Sequence, residues 1–271
     1  MSAWLEHYFM RGVEHIYLLD DGSTDDFYTP TFNKYLNAGQ ITLRHVAPED
    51  YDNKKMERQR YLYNKYFGDV VSQTFWLGIL DLDEFYYSPV EKSLATLLSQ
   101  YETSSYQEIL ADWYWFGSAG YIQQPTDTVG SFLYRSAGLS RTYNYHAEGY
   151  HHEWCCKSFS KTKTIAQLSH HFNYYRRHRT ANFCTQGKAG NEDFSFNLSR
   201  HGLGFINHYI GARDYYATKK TRGSCNNSAI VRDETLYDKL NKNDIFDPRL
   251  AEQTNARPFT DSRDPKHVVS L

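Results

Sequence analysis

The stretch Trp76-Leu-Gly-Ile-Leu-Asp-Leu-Asp-Glu-Phe85 decides the fold expected for this chain of 271 residues. Residues 75–80 predict a buried strand, the most apolar of the first three strands predicted in this chain. Asp81 and Asp83 follow at once, two residues apart. In α/β sheets ligands bind beyond the carboxyl ends of strands, so both carboxylates are expected at a binding edge. Oxygen ligands of this kind suit a hard cation such as Mg²⁺ or Mn²⁺, whereas the alternative is a surface turn.

A second acidic loop follows another predicted strand. Residues 15–19 predict a buried strand, and Asp20-Asp-Gly-Ser-Thr-Asp-Asp26 comes directly after it. Gly22 allows a tight turn, and the carboxylates and hydroxyls of the loop can hydrogen-bond a ribose or a base. We therefore assign Asp20 and Asp21 to nucleotide binding. The alternative is an acidic turn that caps the next helix.

Strands alternate with helices through the first 116 residues. Helices are predicted over 2–10, 29–39, 52–67 and 88–101, and strands over 15–19, 41–45, 75–80 and 108–116, with shorter strands at 132–134 and 164–168. This alternation predicts an α/β domain with a mostly parallel sheet. We expect one domain over residues 1–225, followed by residues 226–271 as a helical cap at 235–240 and an extended polar tail.

The composition limits the class of protein. A net charge of −2 is unlike that of a basic nucleic-acid-binding module, so no nucleic-acid partner is expected. No run approaches the length of a membrane span, and no secretory leader follows Met1. The default expectation is a soluble, cytoplasmic protein, with peripheral attachment to a membrane as the alternative. The aromatic content of 17% suits surfaces that bind carbohydrate, or simply a tyrosine-rich core.

Histidine, basic and aromatic residues add to the candidate site. His208 follows a short apolar run, and its neutral imidazole can complete a carboxylate metal site, although a lone histidine is more often structural. Lys219 and Arg222, a little further on, are natural partners of phosphate. The aromatic run 113–117 ends in a flexible turn; it can stack on a sugar ring or form a core strand. The candidate general bases are Glu153, Asp193 and Asp112, which the residues alone do not rank.

The motifs, taken in order, resemble those of the GT-A glycosyltransferases. The nearest likeness is to the family 2-like group and to glycosyltransferase family 92. The segments that carry the resemblance are residues 4–8 with 12–16, 18–25, 76–85, 113–120, 157–158 with 170–171, 206–209 with 219–223, and 241–247. The resemblance covers nearly the whole chain and implies a single Rossmann-like GT-A domain. The strand that usually opens such a domain has no counterpart before the first helix, so the sheet is expected to lack it.

The resemblance also implies a reaction and roles for single residues. A sugar would pass from a nucleotide-sugar, expected to be a UDP-sugar, to an acceptor hydroxyl of a glycan or glycoconjugate, with inversion. A divalent cation, Mn²⁺ before Mg²⁺, would be held by Asp81, Asp83 and His208. The donor would contact Asp20, Asp21, Asp81, Lys157, Lys219 and Arg222, and the acceptor Trp113, Trp115 and Gly117. The catalytic base would be Glu153 or, as second choice, Asp193.

Two other functions compete with the transferase. A phosphohydrolase of the haloacid dehalogenase type also uses Asp-x-Asp after an apolar strand. That pattern needs Thr or Val two residues after the second Asp, where this chain has Phe85, and its other acidic motif should come later in the sequence. The other competitor is a catalytically inactive, sugar-binding relative. The missing first strand supports it, whereas the presence of Asp81, Asp83 and His208 speaks against it.

Overall fold

The computed structural model describes residues 1–24, 26–51, 58–139, 156–170, 173–175, 195–222 and 233–255. Within these ranges the helices are α1 (Ser2–Met10), α2 (Pro30–Asn37), α3 (Pro48–Tyr51), α4 (Arg58–Phe67), α5 (Leu94–Ser99), α6 (Thr128–Ser131), α7 (Arg213–Arg222), α8 (Glu234–Leu240) and α9 (Arg249–Asn255). None of these described helices has the length and apolarity needed to cross a lipid bilayer.

The strands of the described ranges alternate with the helices only in the first half of the chain. They are β1 (Ile16–Asp20), β2 (Ile41–His45), β3 (Trp76–Gly78), β4 (Glu84–Tyr87), β5 (Glu108–Phe116), β6 (Tyr134–Arg135), β7 (Cys156–Lys161), β8 (Ile165–Gln167), β9 (Tyr174–Tyr175), β10 (Ser195–Asn197), β11 (Phe205–Tyr209) and β12 (Ile245–Phe246). Short 3₁₀ turns at 68–72, 162–164 and 199–201 complete the described elements.

Local capping explains where two helices begin. α2 starts as predicted, because the Thr29 hydroxyl accepts a hydrogen bond from the Phe32 N–H at 3.2 Å and proline follows the cap. α5 starts later than the predicted residue 88. The Ser88 hydroxyl there accepts hydrogen bonds from the next backbone N–H groups, Val90 at 3.2 Å and Glu91 at 3.0 Å, which holds a turn. Ser93 then caps the helix itself.

The long strand β5 lies at the centre of the main sheet. Residues 108–112 pair with the antiparallel β7, whereas β10 and β11 run parallel to β5 along its other side. β11 in turn pairs antiparallel with β4. The expectation of an α/β domain is confirmed, but the sheet is mixed rather than mostly parallel. The helix α2 is a crossover of the expected kind, since it joins the parallel strands β1 and β2.

The first helix packs against the strand that carries the acidic motif. Trp4, Leu5 and Tyr8 of α1 are buried in the main core. The Trp4 indole N–H and the Tyr8 hydroxyl both donate to the Glu84 carbonyl, each at 3.0 Å. The first residue of β4 is thereby fixed by a helix far away in sequence. Much of the aromatic content serves the core in this way, including Phe85, Tyr86, Trp113, Phe116, Phe159 and Tyr209.

The segment after the predicted domain boundary belongs to the same core. That boundary, between residues 225 and 226, lies outside the described residues. The helical cap predicted at 235–240 is present as α8, but residues 249–255 of the predicted extended tail form the helix α9. β12 pairs antiparallel with β6, and Leu250 and Ala251 of α9 are buried in the main core. Burial of these two apolar side chains stabilises the packing of α9 against the core.

Candidate functional site

An acidic turn, residues 81–84, connects the region of β3 to β4 and carries both predicted aspartates. The Glu84 N–H donates to the Asp81 carbonyl at 3.1 Å, and the Asp81 N–H donates to Glu84 Oε2 at 2.9 Å. The Trp4 indole also donates to the Asp81 carbonyl, at 3.0 Å. The turn is therefore closed by its own backbone and braced by α1, which holds Asp81 and Asp83 in fixed places.

Asp83 lies between an imidazole and an ammonium group. His208 Nε2 is 3.6 Å from Asp83 Oδ1, and Lys219 Nζ is 2.6 Å from Asp83 Oδ2. Pairing of β11 with β4 brings the histidine there, and the Tyr209 N–H donates to the Asp83 carbonyl at 2.9 Å. Burial alone would raise the pKa of Asp83, but Lys219 and His208 outweigh it and hold that pKa well below its usual range.

The His208 ring packs on two tryptophans of the neighbouring strand. The ring centroids of Trp113 and Trp115 lie 4.4 Å and 4.5 Å from that of His208. Both tryptophans are on one face of β5, because they are two residues apart, and they are only 6% and 9% exposed. Stacking on an acceptor sugar requires an open ring face. The geometry instead gives both indoles contacts that orient His208, and their role toward an acceptor stays a prediction.

Gly117, the third residue assigned to the acceptor, sits where two backbone segments approach closely. Its N–H donates to the Tyr134 carbonyl at 3.0 Å. A Cβ atom at this position would lie 2.4 Å from the Lys242 carbonyl oxygen and 2.5 Å from Asn243 Oδ1. Asn243 also accepts a hydrogen bond from the Ala119 N–H at 2.8 Å. The glycine is thus required by packing; its contact with an acceptor stays a prediction.

Lys157 lies in the interior, beside Asp81 rather than on a surface. Its Nζ is 2.9 Å from Asp81 Oδ2, 3.2 Å from Glu84 Oε2 and 3.0 Å from the His170 carbonyl oxygen. The Lys157 and Glu84 side chains are both 0% exposed. Burial raises the pKa of Glu84 well above its usual value. For Lys157, burial would lower the pKa, but the two carboxylates outweigh it and raise that pKa.

The nucleotide-loop aspartates both have partners within the protein. Asp20 ends β1; its Oδ1 accepts from the Ser23 N–H at 2.8 Å, and its Oδ2 lies 3.0 Å from His45 Nδ1. Asp21 forms a two-pronged ion pair with Arg58 of α4, with 2.7 Å between Arg58 Nη2 and Asp21 Oδ1. Sequence reasoning missed His45 and Arg58. The available signal for the histidine was its place at the end of the predicted strand 41–45, next in the chain to the strand that Asp20 follows.

Three predicted residues cannot be placed, and the predicted metal set is incomplete. Glu153 and Asp193 lie outside the described residues, as does the side chain of Arg222, the last residue of α7. No group of three His, Cys, Asp or Glu side chains within the described ranges is arranged to hold a metal ion. The structure brings Asp83 and His208 together as two candidate ligands, while Asp81 is directed toward Lys157.

Comparison with known proteins identifies the family. The family model of Glycosyltransferase family 92 matches residues 1–189. The chain therefore belongs to glycosyltransferase family 92, and the resemblance inferred from the sequence is confirmed. Over 138 residues the chain is 27% identical to a glycosyltransferase family 92 protein of Ricinus communis. The match covers 48% of this chain and 23% of the relative, so the chain spans about a quarter of that protein's length.

Proposed function

We propose that the protein is a cation-dependent glycosyltransferase. It would transfer a sugar from a nucleotide-sugar, a UDP-sugar in the first instance, to a hydroxyl of a glycan or glycoconjugate, with inversion at the transferred carbon. Family membership supports the sugar transfer. The observation that carries the rest is the position of Asp83 between His208 and Lys219, where a carboxylate, an imidazole and an ammonium group converge at one end of the sheet.

Asp83 and His208 fit a divalent cation by their chemistry. Carboxylate oxygen and imidazole nitrogen are both ligands of Mn²⁺, and carboxylate oxygen also suits Mg²⁺. The low pKa of Asp83 keeps its carboxylate ionised at neutral pH, as a ligand must be. The two indoles pack against the imidazole and hold the Nε2 side toward Asp83. When bound, such a cation neutralises the donor diphosphate and helps it to leave.

Other residues of the chain would bind and orient the donor. Lys219 lies within reach of the same carboxylate, and its ammonium group would contact a diphosphate oxygen. Asp20 and Asp21 hold the shape of the nucleotide loop through their bonds to Ser23, His45 and Arg58. Ser23 and Thr24 are exposed in the described part of this loop, and their hydroxyls would be available to a ribose or a base.

Transfer to a hydroxyl also requires a base that takes the proton of the acceptor. We retain Glu153 as the first candidate and Asp193 as the second. Within the described ranges, Asp112 of β5 offers a carboxylate near the tryptophans, but it is only 2% exposed and accepts a hydrogen bond from Asn197 Nδ2 at 3.0 Å. Asp112 therefore belongs to the core and is a poor base for a bound acceptor.

Calorimetric titration of UDP into the purified protein, with and without Mn²⁺, tests the proposal. We expect binding that requires Mn²⁺ and that Asp83→Asn abolishes. Asp69→Asn is the matched control, because this half-exposed carboxylate pairs with Arg44 at 2.9 Å instead of with His208. A folded protein that binds no UDP in Mn²⁺ would contradict the proposal. Binding of glycans by that protein would then favour the inactive, sugar-binding alternative.

A further inference from the structure

We infer that Lys157 is a positioning residue for Asp81. Lys157, buried on β7, fixes the Asp81 carboxylate so that one of its oxygens faces the donor. The cation is then bound by Asp83 and His208 and not by Asp81. The inference deepens the proposed function and rests on it. It also replaces the earlier assignments of Lys157 to direct contact with the nucleotide and of Asp81 to the cation.

Lys157 has no means of contacting a phosphate. An ammonium group has three N–H donors. Here they face Asp81 Oδ2 at 2.9 Å, Glu84 Oε2 at 3.2 Å and the His170 carbonyl at 3.0 Å, and the side chain is 0% exposed. A donor phosphate could reach Nζ only if one of these bonds broke and the strand opened. The lysine therefore acts on the site through Asp81.

The two aspartates of the acidic turn differ in how many of their carboxylate oxygens have a partner. Both oxygens of Asp83 have partners, His208 and Lys219. Asp81 is bound through Oδ2 only; its Oδ1 accepts no hydrogen bond from the part of the chain that the structure describes, and the side chain is 41% exposed. Asp81 thus offers one fixed oxygen to a hydroxyl donor. A ribose or sugar hydroxyl of the nucleotide-sugar is a group of that kind.

Besides its bond to Asp81, Lys157 also contacts the buried Glu84. An experiment must separate the effects of these two contacts. Glu84 is fully buried, and its Oε1 accepts no hydrogen bond within the described ranges. Lys157 contacts the Glu84 carboxylate, with 3.2 Å between Nζ and Oε2. Burial favours the protonated form of Glu84, and Lys157 is the neighbour that favours its ionised form. Removal of the lysine alone would leave this buried acid without its cationic partner, which is destabilising. Loss of UDP binding in a single variant would therefore prove nothing about Asp81.

A pair of variants separates the positioning of Asp81 from the charge compensation of Glu84. Lys157→Met removes the anchor and unbalances the cluster; Lys157→Met combined with Glu84→Gln removes the anchor but restores the net charge of the cluster. We expect the thermal midpoint to fall in the single variant and to recover in large part in the double variant. UDP affinity in Mn²⁺ should stay about tenfold below wild type in both, the effect of one lost hydrogen bond. Affinity for Mn²⁺ alone should stay near the wild-type value.

Lys161→Met supplies the matched control. Lys161 is a second buried lysine of β7, and its Nζ donates to the Ser104 carbonyl at 2.8 Å, away from the acidic turn. We expect a lower thermal midpoint and an unchanged UDP affinity. Recovery of UDP affinity in the double variant would overturn the inference, because Lys157 would then serve only to balance charge. A parallel loss of Mn²⁺ affinity would also overturn it, since Asp81 would then be a cation ligand.

A wild-type protein that binds Mn²⁺ but no UDP would refute the proposed function. The bond between Lys157 and Asp81 could still be tested by measuring the unfolding of variants. Lys157→Met, Asp81→Asn and their combination form a double-mutant cycle that needs no nucleotide. Shifts of the unfolding midpoint that fall well short of additive support a direct bond between the two side chains. Shifts that simply add would overturn the anchoring of Asp81 by Lys157.

Discussion

Asp83 and His208 face each other across two paired strands, with 3.6 Å between Asp83 Oδ1 and His208 Nε2. The antiparallel register opposes His208 to Glu84, the residue next to Asp83, and the Tyr209 N–H bond to the Asp83 carbonyl closes the arrangement. The distance between the two side chains is therefore set by backbone pairing. A change of either side chain should alter ligand binding far more than it alters the strands.

His208→Phe should separate the chemistry of the imidazole from its packing. Phenylalanine keeps a flat ring packed against the two indoles but removes the nitrogen that faces Asp83. We expect Mn²⁺ affinity, measured by electron paramagnetic resonance, to fall at least about tenfold. The free energy of unfolding should change by less than about 1.5 kcal/mol. His201→Phe is the control, because His201 stacks on Phe196 at 4.6 Å. Unchanged Mn²⁺ affinity in His208→Phe would exclude the imidazole as a ligand.

Arg58→Met should weaken nucleotide binding without touching the cation site. The Arg58 guanidinium pairs with Asp21 and also donates to the Asp50 carbonyl at 3.2 Å, which ties the nucleotide loop to α4. Without this tie the loop must become ordered upon binding, at a cost of about 1–2 kcal/mol per residue. We expect UDP affinity to fall about tenfold in calorimetry, with Mn²⁺ affinity unchanged.

Arg44→Met is the control for this prediction. Arg44 pairs with the half-exposed Asp69, outside the nucleotide loop. It should leave UDP affinity as it is. If Arg58→Met binds UDP as the wild type does, the ion pair with Asp21 has no part in shaping the loop for nucleotide.

Gly117→Ala should destabilise the protein. The new methyl group would meet the Lys242 carbonyl oxygen at 2.4 Å and Asn243 Oδ1 at 2.5 Å, and a backbone carbonyl cannot swing away. We expect the free energy of unfolding in urea to fall by about 1–3 kcal/mol. Gly68→Ala, where nothing lies within 4 Å of the new atom, should be neutral or slightly stabilising. Equal effects of the two substitutions would contradict the close approach at Gly117.

Asp247→Asn should change how the free energy of unfolding depends on pH. Burial would raise the pKa of Asp247, but bonds from Arg249 and Arg135 outweigh it and lower that pKa. Because the pKa is lower in the folded state, the ionised carboxylate stabilises the fold above the unfolded pKa of about 3.9. This contribution is lost as the pH falls through the folded pKa.

We therefore expect Asp247→Asn to cost about 3–5 kcal/mol of unfolding free energy near neutral pH, and the deficit to shrink below about pH 4. Urea unfolding at a series of pH values measures both effects. Glu102→Gln, at an exposed carboxylate, is the control and should leave the pH profile as it is. A deficit for Asp247→Asn that stays constant through the acid range would show that the two arginines do not depend on its charge.

Local features of the fold could be predicted from the sequence, whereas pairing between distant strands could not. The Thr29 cap, α8 and the short strands near residues 134 and 165 follow from signals within a few residues. The antiparallel partnership of β4 and β11 depends on contacts far apart in the chain, for which periodicity carries no signal. The α/β class was therefore predictable, and the mixed direction of the sheet was not.

In the candidate site, too, some features could be predicted from the sequence and others could not. The acidic turn and His208 could be singled out by residue type and spacing, and the structure brings Asp83 and His208 within 3.6 Å of each other. Their role as ligands of a cation stays a prediction. The burial of Lys157 has no such signal. All six residues of β7 are buried although four of them are lysine or serine, a composition that usually indicates an exposed strand. Only a fold that supplies partners such as Asp81 and Ser104 makes that burial tolerable.

The position of β11 limits where a fragment of the protein can end if it is to fold when expressed. The stretch that the family model matches ends at residue 189, yet β11 comes later and fills the place between β4 and β5. A fragment trimmed to the matched stretch would leave the edges of β4 and β5 that pair with β11 without their backbone partners and would tend to self-associate. The cooperative folding unit is thus longer than the recognisable family signature, and it includes at least residues 205–209.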